Sequence, residues 1–506
     1  MVKLQVSPDQ QKLDITPGNK KSANFSADIF KLVSGAAIAQ ILGVLIAPLL
    51  ARLYAPSAFG VLALFYSLVG ILSVIISLRY EATIMLPESD NEAANLLAGS
   101  LSIATVNSLL TIPLVWFGAP FIGQWLKSPE LVPFLWLLPL VVFFGGVSAG
   151  HPALNAWASR KQNFNQVSTT RVISSVTTNA AKLIAALVSF NSSAGLIYGS
   201  LIGGIFSPLF LGWQIWRQDQ SLFRKNVSPS QVFAGLKKYR KFSTYSTLST
   251  LLNTVSWQVP SFMLSAFFST TVVGYYAFGS QLLRIPMDLI GNSIGQAFYS
   301  HAAIAHREGT LAVFVEGTFR RLVEYSFFPI LMLTVVGRDL FQVVFGSQWA
   351  EAGVYTQILS VWMVFWFISS PMSQLYSVLQ KNELFLGLNL VILVTRIASI
   401  WLGGVLESPR LALLFFSISG AVVYGFLGAS IIFFSGVPWS RIVRIIFENL
   451  AISMLAGGVL FLFNQLHVIS WVQLIITAFF IGIYFIYRFK DDKFVRHFFV
   501  KRMSIH

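Results

Sequence analysis

Long apolar runs are the feature of this sequence that most restricts its fold. Between residues 29 and 487 the chain repeats stretches of about twenty residues in which charged side chains are rare. A helix of that length crosses the hydrocarbon core of a bilayer, where a spanning chain must satisfy its backbone hydrogen bonds internally. Runs this long and unbroken favour helices. We therefore predict an all-α integral membrane protein.

Composition agrees with this interpretation. Only 11% of the residues are charged and 55% are hydrophobic, whereas a soluble domain needs about a quarter charged residues. We predict about fourteen transmembrane helices. The predicted spans cover residues 29–52, 58–86, 92–118, 131–157, 166–190, 194–216, 242–268, 272–301, 317–345, 351–379, 384–405, 409–435, 442–464 and 468–487.

The distribution of lysine and arginine predicts the orientation. With the N-terminus in the cytoplasm, 25 of these residues fall in cytoplasmic segments and four fall outside, namely Arg52, Lys127, Arg338 and Arg410. Cytoplasmic loops of membrane proteins carry this excess. The net charge of +15 therefore marks a basic cytoplasmic face rather than a nucleic-acid surface. Both termini are expected in the cytoplasm, with the first span acting as an uncleaved signal anchor.

The sequence also repeats internally. APLLARLYAPSAFGVLALFYSLVGI, from Ala47, resembles SFMLSAFFSTTVVGYYAFGSQLLRI, from Ser261, and Gly60 matches Gly274. Parallel repeats of this kind occur in transporters whose substrate site lies at the repeat interface. The predicted organisation is a cytoplasmic segment 1–28, a first six-helix lobe 29–216, a basic cytoplasmic linker 217–241, a second six-helix lobe 242–436, two further helices 437–487 and a basic cytoplasmic tail 488–506.

The fifth predicted span carries charge at membrane depth. At 100° per residue one face contains Arg171, Ser175, Thr178 and Lys182, and the opposite face contains Ile173, Val176, Ala180 and Ile184. Ionisable groups inside a bilayer cost at least about 2.5–3.5 kcal/mol each. The pattern indicates either a water-filled, anion-attracting cavity or basic side chains that reach the headgroups or join helices.

The eighth predicted span has a second polar stripe, formed by Gln281, Arg284, Asp288 and Asn292, and Pro286 is expected to kink it. Arg284 and Asp288 are four residues apart, so they either serve a cavity or neutralise each other. Arg396 lies about 18 Å along the eleventh span, too far from its cytoplasmic end to be explained by that interface.

The stretch SLRYE, from Ser77, places Arg79 and Glu81 at the cytoplasmic end of the second predicted span. Two interpretations are open. Arg79 anchors the interface through a contact with Glu81 or Tyr80, or it forms a cationic rim at the cytoplasmic mouth of a cavity.

At these residues the chain resembles a known family. LYAPSAFGVLALFYSLVGILSVIISLRYEATIMLP and VVGYYAFGSQLLRIPMDLIGNSIGQAF are similar to segments of Wzx-type oligosaccharide-lipid flippases, within the multidrug/oligosaccharidyl-lipid/polysaccharide (MOP) exporter superfamily. The resemblance covers most of residues 25–435. It implies a V-shaped pair of six-helix lobes that open alternately to the two sides of a bacterial cytoplasmic (inner) membrane. Many relatives have twelve spans, so the last two spans depart from the simplest pattern.

The resemblance also implies a substrate and its pathway. Such proteins move undecaprenyl diphosphate-linked oligosaccharides between leaflets for O-antigen lipopolysaccharide, capsule or exopolysaccharide. Partners would be the polymerase and glycosyltransferases of that pathway. A cationic cavity fits Arg171, Lys182, Arg284 and Arg396. The predicted substrate-binding residues are Arg79, Arg171, Lys182, Arg284, Arg396, Ser175, Thr178, Gln281 and Asn292.

No cofactor is expected. No metal site is expected, because the chain has no cysteine and its six histidines lack ligand spacing. No catalytic residue is expected, because the predicted outside segments have few candidate acids or bases. Coupling to a proton or sodium gradient is conceivable through Asp288 or Glu81. Three other functions are alternatives. A multidrug cation exporter should carry a carboxylate in its first span, which has none. A lipid II flippase is supported by the fourteen spans but not by the sequence motifs. A membrane polymerase or ligase would need a sizeable extracytoplasmic loop, and the longest predicted outside segments, near 118–131 and 338–351, are short.

Overall fold

Helices form nearly all of the backbone in the computed structural model, which describes residues 18–146, 151–188, 192–466 and 468–491. These residues form eighteen α-helices and no strand. The prediction of an all-α, multi-pass membrane protein is confirmed.

The α-helices are α1 Gly18–Leu53, α2 Pro56–Ile75, α3 Asp90–Trp125, α4 Val132–Leu135, α5 Leu138–Phe143, α6 Pro152–Arg160, α7 Phe164–Leu187, α8 Ser193–Asn226, α9 Pro229–Phe267, α10 Thr270–Pro286, α11 Asn292–Arg307, α12 Leu311–Phe345, α13 Ala350–Met372, α14 Leu375–Val378, α15 Asn382–Val405, α16 Pro409–Ser435, α17 Trp439–Gln465 and α18 Ser470–Asp491. Short 3₁₀ helices cover Tyr80–Met85, Pro129–Leu131 and Ser347–Trp349, and a π-helix covers Met287–Gly291.

Within the described residues, nine helical segments are long and apolar enough to cross a membrane. They correspond to nine of the fourteen predicted spans. The other five predicted spans fall on α1, on the short helices α4 to α6, on α7, on α9 and on the interrupted pair α10 and α11. Apolar residues in α1 are confined to Ala37–Leu53. Residues 1–17 of the predicted N-terminal segment and 492–506 of the predicted tail lie outside the described residues.

The predicted second span, 58–86, is wrong in its length. Helix α2 ends at Ile75, and Leu78 and Arg79 adopt left-handed backbone conformations with φ of 47° and 60°. The side chain of Asn107 on α3 donates hydrogen bonds to the carbonyl groups of Ile75 and Ile76 at 2.8 and 3.0 Å. Since these bonds satisfy carbonyl groups that a continuing helix would use, they stabilise the end of α2.

Two other predicted spans are not single helices. The fourth is divided into α4, α5 and α6, and Gly145 and Gly146 adopt positive φ values of 86° and 110° after α5. The eighth is interrupted after Pro286 by the π-helix, because proline removes a backbone donor. The predicted linker 217–241 is helical except at Val227 and Ser228, since α8 and α9 extend into it. The division into two lobes remains a prediction.

The two matched glycines of the repeat pack against each other. A Cβ atom on Gly60 would lie 1.8 Å from the carbonyl oxygen of Thr270, and one on Gly274 would lie 1.9 Å from that of Pro56. Small residues allow such backbone approach between membrane helices. The first turns of α2 and α10 therefore touch in a nearly symmetric contact. This contact joins the helices that precede α9 to those that follow it.

The last two helices, α17 and α18, are anchored on α12. The guanidinium of Arg488 donates to the Glu324 carboxylate at 2.9 Å and to Oδ1 of Asn449 at 2.8 Å. The Tyr484 ring stacks on Phe328 with centroids 4.3 Å apart. An ion pair with a further polar partner and an aromatic stack thus hold α18 to α12 and α17.

Substituting alanine for Gly60 or Gly274 should force α2 and α10 apart. We expect a destabilisation of about 1–3 kcal/mol from overpacking, measured as a lower thermal unfolding midpoint of the purified protein in detergent. Gly43→Ala and Gly458→Ala are matched controls, because a Cβ at either position meets nothing within 4 Å. An unchanged midpoint in both Gly60→Ala and Gly274→Ala would contradict the contact.

Removing the anchor of α18 should also destabilise the protein. Glu324→Ala leaves Arg488 without its carboxylate, so we expect a loss of about 1–3 kcal/mol and faster proteolysis after α16. The control is Arg444→Gln, which breaks the exposed Arg444–Glu448 pair of α17, because exposed pairs within a helix contribute only about 0.3–0.5 kcal/mol. Equal proteolysis rates for the two variants would exclude an anchoring role.

Candidate functional site

A cavity lies between the helices that precede α9 and those from α9 onward. Its volume is about 330 Å³, and we call it the central cavity. Gln40 of α1 and Tyr66 of α2 contribute from one side, and Trp257 of α9, Arg284 of α10 and Trp362 of α13 contribute from the other. Polar and aromatic residues from both parts of the chain thus surround one space at the repeat interface.

A second space, which we call the side cavity, adjoins the central cavity. Its volume is about 290 Å³, and it shares Trp257, Arg284 and Asp288 with the central cavity. Its other polar lining residues are Asn253, Ser370, Ser373, Asn389 and Tyr424. The shared residues therefore stand where the two spaces meet.

Trp257 holds two guanidinium groups. The Arg284 guanidinium lies 4.9 Å and the Arg396 guanidinium 4.4 Å from the centre of the indole ring. A cation over an indole is stabilised by about 0.5–2 kcal/mol. The structure thus brings together two of the cations that the sequence singled out, although they lie on α10 and α15.

Arg396 is buried and supported by neutral groups. Only 4% of the residue is exposed. One of its terminal nitrogens donates to the carbonyl and hydroxyl oxygens of Ser256 at 3.0 and 3.1 Å, and the other donates to the Tyr424 hydroxyl at 3.2 Å. No carboxylate in the described part of the chain pairs with it. Its positive charge is therefore solvated without being neutralised.

Arg284 lies on the cavity surface, and the alternative in which Asp288 neutralises it is not observed. Both side chains are exposed to the cavities, and no ion pair joins them within the described residues. Pro286 and the π-helix Met287–Gly291 lie in this stretch. Arg284 and Asp288 thus face the same two cavities without a direct ion pair between them. The guanidinium is left available to a ligand.

Two further residues of this stripe, Gln281 and Asn292, are predicted to bind substrate. Gln281 lines the central cavity beside Arg284. Asn292 is the first residue of α11, and its side chain lies outside the described residues, so its role stays a prediction.

The predicted polar face of α7 contacts neighbouring helices. Ser175 donates to the Ala39 carbonyl of α1 at 3.0 Å. Thr178 packs on Gly203, and Lys182 packs on Gly199, both in α8. Arg171 is half-buried and has no hydrogen bond or ion pair with the described residues. None of these four residues lines the central or the side cavity.

The opposite face of α7 is exposed, as a lipid-facing surface requires. Val176 and Ile184 have exposed fractions of 49% and 60%, Ala180 is also exposed, and Ile173 is half-buried. The periodicity therefore gave the correct division of the helix into two faces. The periodicity did not predict which helices, α1 and α8, contact the polar face.

Arg79 and Glu81 form an ion pair away from the cavities. Arg79 Nη1 lies 3.0 Å from Glu81 Oε1, and Nε of Arg79 donates to the Ser246 hydroxyl of α9 at 3.4 Å. Ser77 donates a further hydrogen bond to the nearly buried Glu81 carboxylate. The pair thus joins the turn after α2 to α9 at the end of the bundle predicted to face the cytoplasm.

The other end of the bundle, where α1 and α12 end and α2 and α10 begin, is closed by aromatic packing. We call it the distal end. Trp349 Nε1 donates to the Ala51 carbonyl at 2.7 Å, and Arg52 Nη2 donates to the Val343 carbonyl at 2.9 Å. Phe59 and Phe278 pack on Trp349 with ring centres 5.1 and 4.4 Å from it. Aromatic packing and hydrogen bonds thus join α1, α2, α10 and α12 at the distal end.

Sequence reasoning missed the aromatic residues of both regions. Trp257 and Trp349 lie in or near apolar runs. In such a run a tryptophan cannot be distinguished from a side chain that faces lipid. The one sequence signal for Trp257 was its position just before Ser261, where the second copy of the repeat begins. No group of three or more His, Asp or Glu residues within the described ranges could hold a metal ion.

Comparison with known proteins gives a family and a fold. A family model for polysaccharide biosynthesis proteins matches residues 49–354. The lipid II flippase MurJ in an inward closed conformation superposes with a TM-score of 0.67 and 14% identity, covering 91% of this chain and 99% of that one.

An inward-facing MATE multidrug-resistance transporter of the MOP superfamily has a TM-score of 0.63 and 15% identity, covering 80% and 99%. A mutant of the Vibrio cholerae MATE transporter VcmN has a TM-score of 0.50 and 13% identity, covering 82% and 96%. A search of the curated proteins found no match. With the fold of MurJ and MATE transporters and a family match over more than half of its length, the chain belongs to the polysaccharide biosynthesis protein family.

Proposed function

We propose that this protein is a flippase that moves a lipid-linked oligosaccharide with a diphosphate headgroup between membrane leaflets by alternating access. The observation that carries the proposal is the unpaired Arg284 guanidinium at the central cavity. A diphosphate cannot cross hydrocarbon without losing its hydration, and a fixed cation with neighbouring donors replaces part of that hydration. The substrate would be an undecaprenyl diphosphate-linked unit for O-antigen, capsule or exopolysaccharide.

The rest of the cavity suits a sugar beside the diphosphate. Trp257, Trp362 and Tyr66 offer ring faces and edges, while Gln40 and Gln281 offer amide groups. Amides donate and accept hydrogen bonds, so they can pair with sugar hydroxyls. A cavity of about 330 Å³ holds the diphosphate and the adjoining sugar, while the polyprenyl chain stays in lipid.

Arg396 acts in this proposal as a positioning residue. It is too buried to touch a substrate, but it fixes Trp257 and adds a second positive charge behind the indole. In a low-dielectric site a second charge raises the local attraction for an anion. Other predicted substrate-binding residues do not line this cavity, so their proposed contacts with the substrate require a conformation with a larger cavity; these residues are Arg79, Arg171, Ser175, Thr178 and Lys182.

Asp288 is the better candidate for ion coupling. It lines both cavities without an ion pair, whereas Glu81 is already paired with Arg79. A proton or sodium ion on Asp288 would cancel the charge nearest to Arg284 and so favour anion binding. The protein would act in the bacterial cytoplasmic membrane, with its termini in the cytoplasm, beside a polymerase and glycosyltransferases.

Two other functions fit the same fold. A lipid II flippase would use the same diphosphate chemistry with a different glycan. A multidrug cation exporter would need Asp288 as its binding group, with Arg284 opposing it. The unpaired arginine favours the anionic substrates.

Arg284→Gln should abolish transport without unfolding the protein. Loss of a charge-assisted contact of about 1.5–3 kcal/mol predicts at least tenfold weaker binding of a synthetic polyprenyl diphosphate sugar to the purified protein. Cells carrying the variant in place of the native gene should lose surface glycan and retain lipid-linked intermediates on the cytoplasmic leaflet. The control is Arg217→Gln, which removes an exposed arginine that also lies over a tryptophan, 5.6 Å from the Trp213 ring. Normal glycan in Arg284→Gln cells with normal protein levels would overturn the proposal.

Asp288→Asn distinguishes the flippase from the exporter. In the flippase, binding of the diphosphate sugar should persist or tighten because a nearby negative charge is lost, while transport in proteoliposomes should stop responding to proton or sodium gradients. In an exporter, the same variant should lose binding of cationic drugs and sensitise cells to them, and surface glycan should be normal. Glu308→Gln, an exposed acid in the turn after α11, is the control.

A further inference from the structure

A larger cavity lies within the first part of the chain, away from the proposed transport route. Its volume is about 610 Å³, it is formed by residues of α3, α5, α6 and α8 and of the turns beside them, and it shares no lining residue with the central cavity. We call it the lateral groove. Such a volume falls within the range of about 300–1,000 Å³ that ligand sites occupy.

The lateral groove opens to the lipid-facing surface. Among its lining residues, Phe143, Leu209 and Trp216 have exposed fractions of 43%, 56% and 49%. In a membrane-spanning bundle such side chains face hydrocarbon, so a lipid chain can enter sideways. The walls are apolar apart from Thr105, His151 and Arg224.

His151 has an unsatisfied hydrogen-bond donor. Its Nδ1 accepts the backbone N–H of Ala153 at 3.2 Å and caps the start of α6. An Nδ1 that accepts carries no proton, so the ring proton is on Nε2. That nitrogen is buried and has no partner among the described residues. A buried donor left unpaired costs about 1–3 kcal/mol, so an acceptor that a ligand brings to Nε2 would offset this cost.

Arg224 supplies a positive charge at the edge of the groove. It is exposed, its guanidinium lies 5.9 Å from the centre of the Trp216 ring, and it forms no ion pair within the described ranges. The end of α8 that carries it is predicted to face the cytoplasm. The groove thus offers a cation at its rim, a neutral N–H donor on its buried wall and hydrocarbon elsewhere.

We propose that the lateral groove binds one anionic glycerophospholipid of the cytoplasmic leaflet. The phosphate pairs with Arg224, an ester carbonyl accepts from Nε2 of His151, and an acyl chain lies along the apolar walls. The charge of the lining decides between lipid classes. Arg224 is the one charged residue that lines the groove in the described part of the chain, so it balances the single negative charge of a glycerophospholipid phosphate but not the larger charge of a polyprenyl diphosphate. A glycerophospholipid also carries ester carbonyls just below its phosphate, which can accept from His151.

The proposal is tested by native mass spectrometry of the full chain in detergent, titrated with phosphatidylglycerol and with its ether-linked analogue, which lacks both carbonyls. We expect the ester lipid to bind about five- to tenfold more tightly, the value of one net hydrogen bond. His151→Asn should equalise the two lipids, because asparagine can still cap α6 but lacks the Nε2 donor. Equal binding of both lipids to the native chain would overturn the role of His151.

Two further variants test the charge and the location. Arg224→Gln should remove the preference for phosphatidylglycerol over phosphatidylcholine, and Arg217→Gln on the same helix should preserve it. Gly212→Leu should fill the groove and abolish the lipid adduct, because Gly212 lines it. Adducts that survive Gly212→Leu, or a polyprenyl diphosphate that displaces phosphatidylglycerol from the native chain but not from Gly212→Leu, would overturn the proposal. Sugar-lipid binding at Arg284 should be unaffected by these substitutions.

Discussion

The contact of two guanidinium groups with the indole of Trp257 is the interaction on which the candidate site depends. Arg284 and Arg396 carry the same charge and approach the same ring, so each raises the electrostatic energy of the other. The structure offsets this cost for Arg396 with hydroxyl and carbonyl acceptors rather than with a carboxylate. A carboxylate would cancel the field, whereas neutral acceptors preserve it. Arg396 thus keeps its positive charge, and Asp288 is the carboxylate that shares the cavities with Arg284.

The distal end is held by a different kind of contact from the candidate site. Its contacts are mainly ring faces, the backbone approach at Gly60 and Gly274, and a few hydrogen bonds such as that of Trp349 to Ala51. Contacts without buried ion pairs leave no unpaired charge when the surfaces separate. Polar contacts between Arg79 and Ser246 and between Lys238 and Glu92 join the other end. The two ends are therefore held by different kinds of interaction.

Much of the fold could be predicted because the bilayer constrains it so strongly. Apolar runs gave the helices, and the match of Gly60 with Gly274 identified two residues that do touch. The end of α2 at Ile75 could not be predicted, since no glycine or proline separates Ile75 from Leu86 and the helix is ended by Asn107, a residue of another helix. The π-helix after Pro286 was equally hidden, because sequence spacing assumes a regular helix, and spacing alone could not show that Arg284 and Asp288 line the same cavities without an ion pair. Periodicity also could not say that Ser175 meets α1 and Thr178 meets α8.

Arg171 and Arg396 lie at matching points of the predicted repeat, but their contacts with the protein differ. Arg396 has three hydrogen bonds and a nearby indole, so protein groups replace its hydration. Arg171 is half-buried and has no hydrogen bond or ion pair within the described part of the chain. A cation at membrane depth without a protein partner must keep its water. Arg396 would therefore have to break its own contacts with the protein before it could bind a phosphate, whereas no such contact within the described residues holds Arg171.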